Sequence, residues 1–135
     1  DHSLGHSFGK IFQVHHGLSV GLFTPYSIDF QYKVTDRWKD LCSIFNLKLE
    51  GRDRDEIFSE FIDEIKNFMR SIDAPTCVKE LSKPKITKDE YFDKLDLLAD
   101  YANTDAVSLT SYRPIDKDLF KRIFQYAWDG KRIDF

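Results

Sequence analysis

A chain of 135 residues with 20 Lys and Arg against 23 Asp and Glu carries a net charge of −3. That length supports one domain with a real core, and the scattered positive charge gives no basis for binding nucleic acid or an anionic membrane surface. Cys42 and Cys77 stand alone, without a Cys-x-x-Cys spacing, which suits buried apolar thiols in a reducing cytoplasm.

All four histidines, His2, His6, His15 and His16, fall at the start of the chain. His2 and His6 are four apart, so on a helix they project from one face with Cβ atoms about 6 Å apart. Gly5 and Gly9 repeat that step on a neighbouring stripe, where a second backbone can come close. From Ile11 to Ile28 run eighteen residues without a formal charge. Gln13, two histidines, Gly17, Gly21, Thr24 and Pro25 make this stretch too polar and broken to face lipid. It predicts a buried helix from near His16 toward Gln31, bent at Pro25. No basic segment or cleavage site precedes it, so no signal peptide is expected.

Periodicity stays helical beyond this point. Thr35 is placed to cap a helix carrying Trp38, Leu41, Cys42 and Phe45. Ile57, Phe58, Phe61, Ile62, Ile65, Phe68 and Met69 form the apolar stripe of the next helix, which should end by Ala74-Pro75. Thr87-Lys88-Asp89-Glu90 reads as a capping box opening a helix with Tyr91, Leu95, Leu98 and Ala102 inward. Asp116 caps a last helix bearing Leu119, Phe120, Ile123, Phe124 and Ala127, and Gly130 stops it. Nothing alternates at period two for long enough to make a sheet. The expectation is an all-α fold, a helical bundle forming a single domain over residues 1–135. Phe8, Phe12, Phe23, Tyr26, Phe30 and Tyr32 look like a surplus too apolar for a surface, to be covered by a further segment, a second domain or another subunit.

Imidazole is the commonest protein metal ligand and the side chain that moves protons near neutral pH. The four-residue pair is not an H-E-x-x-H metalloprotease motif, because Ser3 stands where the general-base glutamate is needed. Two histidines at helical spacing are as often ordinary hydrogen-bonded residues as ligands. His16, at the expected start of the buried helix, adds a third imidazole. A catalytic ion usually takes three or more protein ligands, so the block reads as half of a metal site.

The spacing His2-x-x-x-His6-x-x-Gly9, six further residues, then His16-Gly17 and Pro25 resembles the iron-containing alcohol dehydrogenase family. Asp73-Ala74-Pro75-Thr76 with Leu81 is similar to that family's glycine-isoleucine-proline-threonine turn, and Asp105 to Arg113 to its D-x-x-T-x-x-N-P-R segment. His15 replaces the family's usual proline, and Ser111-Tyr112-Arg113 its Asn-Pro-Arg. The resemblance covers the chain but only about the last third of a full-length member. It implies a fold like the dehydroquinate synthase-type α domain, with His2 and His16 as metal ligands and His6 as the proton-transfer histidine beside the nicotinamide. It implies a divalent ion, Fe(II) first and Zn(II) second, and NAD or NADP held mainly by an N-terminal domain outside this chain. That domain would also carry the other two ligands, an aspartate and a histidine. His15 would be a neighbour of the site. The expected activity is alcohol–aldehyde interconversion in a cytoplasmic, homo-oligomeric enzyme, with this chain inactive alone. The alternatives are a glycerol dehydrogenase-like sister enzyme, a split-enzyme subunit, or a helical interaction module without catalysis.

Overall fold

The computed structural model describes residues 1–135 and is helical, with one isolated bridge between Ser82 and Lys85 as its sole extended pairing. Six α-helices follow in order: α1 (His2–Phe12), α2 (His16–Gln31), α3 (Arg54–Ser71), α4 (Lys88–Asp93), α5 (Leu95–Thr104) and α6 (Lys117–Asp129). Short 3₁₀ segments occupy Arg37–Phe45, Val78–Glu80 and Ala106–Thr110.

Local chemistry sets the helix ends. Asp53 accepts from the Asp55 and Glu56 amides at the start of α3, and Asp116 from Leu119 at the start of α6, which satisfies amides that have no intrahelical partner. Thr87 and Glu90 form the reciprocal capping box of α4. Gly130 ends α6 at φ 81°, a left-handed conformation that an L side chain adopts only with strain.

The contact that orients the N-terminal region is the crossing of α1 and α2. A Cβ on Gly5 would lie 2.8 Å from both the backbone N and Cα of Val20, so the two backbones touch there. On Gly9 it would sit 3.0 Å from the Val14 carbonyl and the Ser19 hydroxyl. Ser19 is buried in this seam and donates to the Val14 and His15 carbonyls at 3.3 and 3.1 Å. On another side of α1, buried Ser7 donates to the Leu98 carbonyl of α5 at 2.6 Å. Small residues therefore bring three helices close together.

Two apolar clusters form the interior. The larger joins α1, α2, α4, α5 and α6 through residues such as Phe8, Phe23, Tyr91, Leu98 and Phe124. The smaller packs Trp38, Cys42, Phe58 and Phe61, with Tyr32 stacked on Phe58 at 3.8 Å. Buried Asp29 lies on α2, its carboxylate accepting from Arg132 Nε and Nη2 at 2.9 and 3.0 Å and from the Ile133 amide at 2.6 Å. A buried carboxylate persists only with such saturation of its oxygens, and the pair ties the C-terminal tail to α2. Both cysteines are free and buried, as expected.

Four sequence expectations need correction. Residues 37–45 form a 3₁₀ segment rather than an α-helix, with Leu41 exposed; Thr35 still accepts from the Arg37 amide at 3.2 Å. The helix opened by Thr87 breaks at Lys94 into α4 and α5, where the Lys94 amide bonds the Tyr91 carbonyl in a tighter turn. Phe68 is exposed despite its place in the α3 stripe. The N-terminal aromatics are not a surface surplus: Phe8, Phe12, Phe23, Tyr26 and Phe30 are core residues, and Tyr32 packs on the second cluster. Five aromatics on two consecutive helices, and Tyr32 just past the second, meet the stripes of later helices inside the fold.

The α1–α2 seam predicts opposite outcomes for two glycines. Gly5→Ala should destabilise the fold by about 1–3 kcal/mol, because the added methyl meets backbone that cannot step aside. Gly21→Ala, with nothing within 4 Å of its Cβ, should be neutral or stabilising by up to about 1 kcal/mol. Denaturant titrations of the two variants check the contrast.

Candidate metal and proton-transfer site

The same seam assembles the histidines. α1 presents His2 and His6 one turn apart, and α2 begins with His16 across from them. The ring centroids lie 5.6 Å apart for His2 and His6, 5.8 Å for His2 and His16, and 5.3 Å for His6 and His16. His6 and His16 are nearly parallel at 29°, whereas His2 stands edge-on to His6 at 77°. All three rings sit on the exposed side of the helix pair.

Two carboxylates set the ring orientations. Asp1 Oδ1 lies 2.9 Å from His2 Nδ1, and Asp105 Oδ2 lies 2.8 Å from His6 Nδ1. In each case Nδ1 is engaged, which leaves Nε2 as the ring's free nitrogen. Asp105 comes from the junction after α5, and no local sequence signal marks it as a site residue, because 99 positions separate it from His6. Its carboxyl is held below the usual aspartate range by the Val107 amide first and by His6 second. A small cavity of about 210 Å³ adjoins the rings, lined by Gly5, His6, Gly9, Lys10, Val14 and His16. Lys10 is the one cation of that lining, and its ammonium lies 4.0 Å from the centroid of the Tyr101 ring. His15 is not in the three-ring group; it borders an apolar groove of about 540 Å³ between α2 and α3. That groove is larger, but it carries none of the three clustered imidazoles.

The donor chemistry fits a borderline divalent ion such as Fe(II) or Zn(II), for which imidazole is a good ligand. The number of donors does not complete a site: no three His, Cys, Asp or Glu side chains of this chain converge on one point. Any ion would need further ligands from elsewhere.

The sequence pattern of the Fe-containing alcohol dehydrogenase family, C-terminal region, matches residues 1–128. The chain belongs to this family. It is 29% identical over 135 residues to the NADPH-dependent butanol dehydrogenase of Clostridium saccharobutylicum, an alignment covering 99% of this chain and 34% of that protein. Its fold superposes on a solved 1,3-propanediol oxidoreductase with a TM-score of 0.81 at 16% identity, and on the alcohol dehydrogenase from Oenococcus oeni with the same score at 21%. Both superpositions take in 94% of this chain and 32% of the other. The chain thus spans about a third of the length of these relatives, and the all-α architecture is that of their matching part. No helix is long and apolar enough to cross a membrane.

The Asp105 arrangement has a pH signature. A carboxyl whose folded pKa lies below its unfolded value of about 3.9 adds stability above that value, and the contribution is lost as pH falls through the folded pKa. Asp105→Asn should therefore be less stable than the parent at neutral pH, with the gap closing below about pH 4. Urea midpoints across that range measure it.

Proposed function

We propose that this chain is the C-terminal helical part of a metal- and NAD(P)-dependent alcohol dehydrogenase acting on small alcohols or aldehydes. The observation carrying this reading is the three-imidazole face, built in a chain that matches the family over residues 1–128. His2 and His16 are assigned as ligands of a divalent ion, Fe(II) in preference to Zn(II). A bound ion would supply Lewis acidity, lowering the pKa of an alcohol oxygen. His6, with Nδ1 on Asp105 and Nε2 free, is assigned to accept and release the proton of the reaction. The chain has no glycine-rich phosphate loop, so the dinucleotide falls to an N-terminal domain that would add the missing aspartate and histidine ligands. Residues 1–135 would then be one helical domain of a two-domain, homo-oligomeric enzyme, and the buried free thiols favour a cytoplasmic setting.

A second reading draws on the incomplete ligand set: a helical module or split-enzyme subunit that does no chemistry of its own. The two readings part on complementation. The chain alone, with Fe(II) or Zn(II), NAD or NADP and a panel of primary alcohols and diols, should give no reduced nicotinamide above background. Adding the N-terminal two thirds of a family member should restore turnover, and His2→Ala or His16→Ala should lower the restored rate at least about 100-fold, since each removes a ligand. Metal-dependent turnover by the chain alone would refute the division of labour. Restored turnover indifferent to both substitutions would refute the ligand assignment.

A further inference from the structure

We propose that Asp105 is a positioning residue that fixes His6 as its Nδ1–H tautomer, so that Nε2 is held as the lone pair. The inference deepens the proton-transfer reading of His6 and rests on it for its functional meaning, though not for its structural test.

The Asp105 carboxylate is immobilised on both oxygens. Oδ1 accepts from the Val107 amide at 2.9 Å and so caps the 3₁₀ segment Ala106–Thr110, while Oδ2 faces His6 Nδ1 at 2.8 Å. Its backbone is pinned as well, because the Asp105 amide donates to the Tyr101 carbonyl at the end of α5. α5 in turn docks on α1 through the bond from Ser7 to the Leu98 carbonyl and through Lys10 over the Tyr101 ring. The carboxylate therefore approaches His6 from the end of a helix docked against His6's own helix. Its side chain is mostly shielded, at 19% exposure.

An ionised carboxylate has no proton to give and can only accept, so the shared hydrogen must belong to the imidazole Nδ1. The neutral ring then has its lone pair on Nε2, the nitrogen turned away from Asp105. That tautomer is the one able to take a proton at Nε2. The proton adds to the Nε2 lone pair, the imidazolium is stabilised by the carboxylate across Nδ1–H, and the same proton leaves from Nε2 to solvent. Asp105 remains ionised throughout. With the opposite tautomer Nε2 already bears hydrogen and accepts nothing.

The Val107 cap makes the test sharp. In Asp105→Asn the one remaining oxygen is claimed by the Val107 amide, and the amide NH₂ is left facing His6 Nδ1. An NH₂ group donates, so Nδ1 must become the acceptor and Nε2 must carry the hydrogen. Asp105→Ser keeps a capping oxygen for Val107 but is too short to reach His6. The experiment is long-range ¹H–¹⁵N correlation of the metal-free, ¹⁵N-labelled 135-residue chain, at a pH where the imidazoles are neutral, with the amide spectrum confirming the fold of each variant. The expected result is a pyridine-type Nε2 and pyrrole-type Nδ1 for His6 in the parent. Asp105→Asn should invert the pattern and Asp105→Ser should lose the parent's preference, with His15 unchanged in both. A parent ring carrying its hydrogen on Nε2, or a parent-like pattern retained in both variants, would overturn the proposal. Neither result depends on metal, dinucleotide or turnover. Undiminished turnover of the complemented enzyme with His6→Ala would instead overturn the proton-transfer reading and leave the tautomer assignment standing.

Discussion

The backbone-to-backbone contact of α1 and α2 at Gly5 and Val20 is the constraint on which the candidate site depends. Two helices carrying ordinary side chains pack with axes about 8–10 Å apart. Here the absence of a Cβ lets Gly5 meet the Val20 backbone directly. His6 follows Gly5 in sequence and His16 lies one turn before Val20, so the contact that closes the seam also sets three imidazoles within 5.3 to 5.8 Å of one another. The candidate site is thus a by-product of the close backbone approach at Gly5. Its precision does not come from the loop between the helices, which supplies only Gln13, Val14 and His15.

The remaining fold acts as a brace behind that seam. Phe8 and Phe23, on the inner faces of α1 and α2, stack edge-to-face at 5.3 Å, and Phe23 meets Phe124 of α6 in the same manner. Such contacts add to simple area burial and have defined geometry. Tyr91 places its hydroxyl on the Phe124 carbonyl at 2.9 Å, so even the polar tip of a fully buried ring is satisfied. The Asp29–Arg132 pair closes the opposite end. Losing half-exposed Arg132 would leave the buried Asp29 carboxylate without its charge partner, which makes the tail residues after Gly130 part of the fold rather than an appendage.

Much of this was legible in residue order because the signals were local. The four-residue histidine and glycine steps located α1, the uncharged run located α2 from His16 to Gln31, and the Thr87, Asp116 and Gly130 punctuation marked ends that the structure reproduces. What escaped was set by distant partners. The aromatics of α1 and α2 looked excessive because their neighbours Tyr91 and Phe124 come from helices far along the chain. Phe68 obeyed the stripe of α3 but lies near its C-terminal end, where it borders an open groove. Asp105 carries no local mark of its role, since both a cap for Val107 and a partner for His6 look like any aspartate before a short helix. Recognising the family pattern placed Asp105 in a matched segment, yet only the docking of α5 on α1 reveals what it touches.

His2 and His16, brought together across this seam, are proposed to form one metal-binding face. Paramagnetic Co(II) added to the ¹⁵N-labelled chain tests it most directly, because broadening falls off steeply with distance and needs neither tight binding nor catalysis. The account predicts that the His2 and His16 ring signals broaden together at the lowest metal level, with His6 close behind and His15 later, and that Gly5→Ala uncouples the first two. Broadening centred on surface carboxylates, or on one histidine without the other, would contradict it.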